Sequence, residues 1–215
     1  MQLIGKIALI SVFLLSSFSL KSQLDFKPTS SVRFDMGLPA ILETATNRAF
    51  RDLMQGLASV SGAYQYTLDN SLSFGAGAQY TLFNVNEFRN NFDLSGNLHI
   101  VGLYGRVGVE KYYGSFGVDY GLKVGYTNNF SHTSICLEEN GEANVSGGGL
   151  YVPEFKISYM INEYSAFAAN LSYTFHSFRF TPETVCVDQF PGLSVDDHAT
   201  RTSYLTFGFG YIYYF

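Results

Sequence analysis

From Ser30 onward, apolar and polar residues alternate one by one, and this two-residue period is the dominant signal in the chain. Val32, Phe34, Met36 and Leu38 alternate with Arg33, Asp35 and Gly37. Leu72 to Leu82, Phe116 to Tyr126 and Leu205 to Phe215 repeat the pattern over longer runs. Weaker copies run over Val60–Leu68, Val101–Val109, Tyr151–Ile161 and Phe167–Phe175. Each run predicts a strand with one apolar face, giving eight strands of about 9–14 residues, whereas globular strands are usually 5–6. A tilted strand needs about 9–11 residues to cross a bilayer.

The connections alternate in length. Residues 68–71, 110–114 and 161–164 are short links, while 39–56, 83–96, 127–149 and 177–200 are long. Short turns at one end and long loops at the other predict an up-and-down antiparallel transmembrane β-barrel with long extracellular loops. In loop 39–56, the spacing of Ile41, Leu42, Ala49, Phe50, Leu53 and Met54 predicts a short helix, with Gly56 as its C-cap. The reading taken is a cap packed on the barrel rim. A partner or membrane-surface contact is the alternative.

Alternation does not say which face is wet, and composition supplies that. Only 14% of residues are charged, against about 25% in a typical soluble domain. The polar faces of the strands are mostly Gly, Ser, Ala, Thr and Gln, small groups suited to the interior of a narrow barrel. The apolar faces carry Leu, Val, Phe and Tyr, as a lipid-facing wall requires. The charges on the inner face are Arg33, Asp35, Arg106, Glu110, Asp119, Lys123, Glu154 and Lys156, four of each sign. Buried charges must be paired, so these predict ion pairs that plug the lumen. A formal charge of −5 and the lack of a basic run argue against a nucleic-acid partner.

The final strand ends Tyr211-Ile212-Tyr213-Tyr214-Phe215. It resembles the C-terminal recognition signal of outer-membrane barrels, and the whole pattern resembles small barrels of the OmpA/OmpX type in Gram-negative envelopes. The resemblance implies an integral outer-membrane protein in contact with outer-membrane lipid. It also implies that Phe215 is read by the barrel-insertion machinery. Residues 1–22 read as a signal peptide, with Lys6 before the apolar run Ile7–Leu20. That leaves a barrel domain over 23–215. Cleavage removes Lys6 and Lys21 and no acid, taking the charge from −5 to −7.

Cys136 and Cys186 fall in two of the long loops, on one side of the membrane by topology. In an exported chain they predict a disulfide, and no metal or cofactor motif accompanies them. The acidic loop residues near Asp188, Asp196 and Asp197 do not match a calcium-loop pattern.

Hydrolytic chemistry has weak candidates. His132-Thr133-Ser134, with Glu142 downstream, resembles the His-x-Ser element of outer-membrane lipid A deacylases. Asp196-Asp197-His198 has the Asp-x-His spacing of outer-membrane aspartyl-type proteases, but Asp93 stands alone as a second acid. His99 and His176 read as rim or lumen hydrogen-bonders. The expectation is therefore a non-enzymatic structural or surface-interaction protein acting through its loops. An accessory subunit docking on an envelope protein partner, a lipid-modifying hydrolase and a small-solute channel are the alternatives.

Overall fold

The computed structural model describes residues 29–42, 47–86, 95–134, 136, 144–190, 193 and 200–215. The expected signal peptide and the acids Asp93, Glu142, Asp196 and Asp197, with His198, lie outside these residues. Eight strands form one closed antiparallel barrel in sequential order. They are β1 (Thr29–Ala40), β2 (Met54–Thr67), β3 (Leu72–Val85), β4 (Gly96–Tyr113), β5 (Phe116–Thr133), β6 (Asn144–Asn162), β7 (Ser165–Phe180) and β8 (Thr200–Tyr214). β1 closes against β8, pairing Val32 with Tyr213 and Leu38 with Phe207. Phe215 N–H then donates to Ser30 O at 3.0 Å.

The tight links are built by local chemistry. Gly114, with φ +64°, and Ser115 join β4 to β5 in a two-residue turn, where a positive φ suits glycine. Asn70 and Asn162 each bend the chain by accepting a backbone N–H two residues on, from Leu72 (3.1 Å) and Tyr164 (2.9 Å).

The apolar face of the lower barrel points outward. Phe34, Leu103, Leu122, Ile157, Phe167 and Phe209 are all exposed on the wall. On β5 the outward residues run from Phe116 to Tyr126. Ten residues at about 3.3 Å, tilted by about 40°, span about 25 Å, the height of a lipid-facing band.

Above that band the alternation changes phase. On β4 the outward residues become Asn97 and His99, while Leu98 and Ile100 turn inward and are fully buried. β7 does the same, with Ser177 and Arg179 outward and Phe178 and Phe180 inward. The lower barrel thus wears its apolar side outside, whereas β3, β4 and β7 turn apolar side chains into the upper barrel and β5 keeps a polar inner face there.

Two sequence expectations about the outer end are corrected here. Connections 127–149 and 177–200 are shorter than expected, because β5 runs on to Thr133, β6 starts at Asn144 and β7 ends at Phe180. The helix forms as α1 (Arg48–Leu53), but Gly56 does not cap it: Met54 is already extended and begins β2. Gly56 serves close packing instead, since a Cβ there would lie 2.0 Å from Pro39 O.

Candidate functional site: a charged lumen beneath an apolar cap

Every inner-face charge expected from alternation points into the lumen, and they join into one chain of alternating sign. Glu110 receives Arg33 Nη2 at 2.6 Å, and Arg33 Nη1 reaches Asp119 at 2.5 Å. Arg106 bridges Asp119 (2.5 Å) and Glu154. Lys123 lies 3.0 Å and Lys156 3.8 Å from Glu154, and Lys156 lies 2.8 Å from Asp35. The guanidiniums of Arg33 and Arg106 are about 1% exposed. Ions this deep persist only with near-complete hydrogen bonding.

Neutral groups complete that bonding. Glu110 also accepts from Gln65 (3.0 Å), Thr67 (2.8 Å), Tyr112 (2.9 Å) and Tyr214 (2.9 Å). Arg106 donates further to Gln65 Oε1 (2.8 Å) and Ser73 Oγ (2.9 Å). Its guanidinium lies over Gly108 and Gly121, where an added Cβ would come within 2.8 and 2.7 Å of it. Lys123 also stands 4.7 Å above the Tyr104 ring, a cation–π contact. Gln65, Thr67 and Tyr112 were not singled out by sequence reading, although their inward parity was available. Beside the charges a cavity of about 30 Å³ meets Asp35, Gln79, Lys123 and Thr206, room for about one or two waters.

A hydrogen-bonded layer lies above. Tyr204 donates to Thr81 Oγ1 (3.1 Å), and His176 sits between Tyr204 OH (3.4 Å) and Thr127 Oγ1 (3.3 Å). His176 is thus an interior hydrogen-bonder.

The mouth above this layer is filled by side chains. Phe50 of α1 meets Phe83 (5.0 Å) and Phe180 (5.4 Å) edge to face, and Phe180 stacks on Phe190 (5.2 Å). Leu53, Leu98, Ile100 and Val185 complete the cluster. Val185 ends a short 3₁₀ helix (Pro182–Val185), and the next residue, Cys186, is disulfide-bonded to Cys136. The bridge ties this segment to the end of β5, and Thr133 Oγ1 adds a bond to Val185 O at 3.1 Å.

The hydrolase candidates sit elsewhere. His132 is exposed on the outer wall, its ring 5.4 Å from that of His99, which bonds Tyr80 OH at 2.7 Å. Ser134 follows β5 at the rim, with its Oγ 3.4 Å from the Ser95 N–H. Glu142, the proposed orienting acid, is outside the described residues. Among the described residues, no group of three or more His, Cys, Asp or Glu is placed to hold a metal ion.

No protein-family model matches the chain, and no curated protein matches it in sequence. Among solved structures, the outer-membrane protein OprG from Pseudomonas aeruginosa aligns with a TM-score of 0.50 at 12% identity, over 88% of this chain and 96% of that one. The chain has the fold of a small outer-membrane β-barrel. Ail, the attachment invasion locus protein of Yersinia pestis, aligns at 0.49 and 11% identity over 88% of this chain and 100% of its own. Neisserial surface protein A aligns at 0.48 and 10% identity over 87% and 96%. At these identities the likeness is one of fold.

Proposed function

We propose that the protein is an integral outer-membrane barrel with a structural or surface-interaction role, its long connections outside and its lumen closed to diffusion. The observation that carries this reading is the filled lumen: a sign-alternating ion-pair chain below and a packed aromatic cap above. A conducting pore needs a wider, water-filled interior. The outward apolar band about 25 Å tall supports membrane insertion. The phase change above it supports a rigid collar standing in water, on which the remaining loop segments are displayed to partners. Residues 1–22 act in this reading as the export signal, and Phe215 as the insertion signal.

The reading is non-enzymatic. His132 and Ser134 lie at the outer rim and wall rather than in an enclosed cleft. Docking of the lipid-facing wall on a larger envelope complex is the second reading, favoured by the exposed aromatics Phe207 and Phe209 on β8. Planar-bilayer recording tests the first: the folded protein gives no steady large openings, and sustained nanosiemens conductance overturns it. Co-purification from envelopes followed by mass spectrometry tests the second. Profiling lipid A acylation with His132→Ala and Ser134→Ala variants tests the hydrolase alternative, and no change is expected.

A further inference from the structure

Arg179 on β7 and Arg201 on β8 stand directly opposite one another, and both are exposed on the outer wall. Opposed residues in an antiparallel pair bring their Cβ atoms to about 5 Å, where like charges repel. The other described arginines all have carboxylate partners: Arg33 and Arg106 in the lumen, and Arg48 and Arg51 at Asp52. Among the described residues, Arg179 and Arg201 have none. A chain with so few cations and a net charge of −5 therefore places two uncompensated guanidiniums side by side.

Their height matters. The lipid-facing run ends at Phe175 on β7 and Leu205 on β8, each four residues below its arginine. On β8 the four tilted residues from Leu205 to Arg201 rise about 10 Å, while on β7 an irregularity between Phe175 and Arg179 takes up two residues, so Phe175, which pairs with Ser203, lies only about 5 Å below the pair. The headgroup zone is about 5–8 Å deep on each side of the hydrocarbon, and arginine stems bend toward that boundary. Directly beneath, Tyr173 and Phe175 pack edge to face at 4.4 Å, and Phe207 is exposed beside them. The result is a cationic pair over an apolar seat.

We propose that Arg179 and Arg201 clamp the phosphate of an anionic lipid in the outer leaflet, its acyl chains lying along Tyr173, Phe175 and Phe207. Paired guanidiniums match phosphate oxygens through bidentate hydrogen bonds, and a bound phosphate removes their mutual repulsion. The apolar seat selects a lipid over free phosphate. The inference rests on the outer-membrane reading above.

The test uses the full chain purified from membranes in mild detergent and examined by native mass spectrometry. The probes are a phosphorylated glycolipid, its dephosphorylated form with the same acyl chains, and inorganic phosphate. The wild type retains the phosphorylated lipid at least about tenfold over the dephosphorylated one. Arg179→Gln/Arg201→Gln abolishes that preference, whereas Lys111→Gln, near the opposite end of the barrel, keeps it. Equal retention of the two lipids by the wild type, or an unchanged preference in the double variant, overturns the clamp. Displacement of the lipid by millimolar inorganic phosphate overturns the choice of a lipid ligand. Heat-modifiable migration of the same samples reports the barrel separately: a shifting barrel without phosphate preference sinks the site alone, and a wild type that never shifts sinks both.

Discussion

Replacing Arg106 with methionine removes the cation at the centre of the lumen chain while keeping an apolar stem of similar reach. Arg106 is bonded to Asp119, Glu154, Gln65 and Ser73, and its side chain is 1% exposed. The substitution takes the lumen from four charges of each sign to a net −1. Breaking a buried ion pair by removing one partner costs about 3–5 kcal/mol. Asp119 retains Arg33, and Glu154 retains Lys123, so the lower part of that range applies, about 3–4 kcal/mol. Urea unfolding in lipid vesicles, followed by the heat-modifiable band, reads this as a shifted midpoint, and 3 kcal/mol is a change of more than about a hundredfold in the folding equilibrium. Adding Asp119→Asn restores charge balance while Arg33 keeps Glu110, and recovers about 1 kcal/mol or more relative to the single variant. A single variant within about 0.5 kcal/mol of wild type refutes the idea that this network stabilises the barrel.

Three further substitutions probe other parts. Phe50→Ala empties the centre of the cap and costs about 3–5 kcal/mol by the same assay, with faster proteolysis at the outer end. Cys136→Ser/Cys186→Ser opens a link spanning 50 residues; chain entropy sets the loss at about 4 kcal/mol, read as a lower unfolding temperature under non-reducing conditions. Phe215→Ala keeps the backbone bond to Ser30, so spontaneous refolding into vesicles is unchanged while insertion in cells falls several-fold. Equal losses in both settings would make Phe215 a structural residue rather than a signal.

Alternation made the barrel legible because the lower strands combine an apolar outer face with small polar inner residues. Gly102, Gly108 and Gln79 face inward beneath outward Leu103, Val107 and Tyr80. The parity of Arg33, Glu110, Asp119 and Lys156 likewise made their inward direction readable. The upper third was less legible, and residues 127–133 looked like loop. There β5 loses its apolar outer face without gaining an apolar inner one: Asn128 and His132 face out, and the buried Thr127, Asn129 and Ser131 are polar too. A search for a constant apolar face stops where the barrel leaves the lipid band. The cap was legible only in part, since Phe50 and Leu53 mark an amphipathic helix, but the partners Phe83, Phe180 and Phe190 come from distant segments. Nothing local in the sequence joins them.

The lumen charges have one more property. They come from four strands, and each strand brings one of each sign: Arg33 and Asp35 on β1, Arg106 and Glu110 on β4, Asp119 and Lys123 on β5, Glu154 and Lys156 on β6. The final partners are far apart in the chain, with Arg33 and Asp119 separated by 86 residues and Asp35 and Lys156 by 121. The lumen face of each of these strands is nonetheless neutral by itself. A partly assembled barrel that lacks any of these strands therefore carries no excess ion into the hydrocarbon, and temporary pairings can shield the charges until closure exchanges them for the final ones. This strand-level neutrality of the lumen face frees the order of assembly from electrostatic constraint.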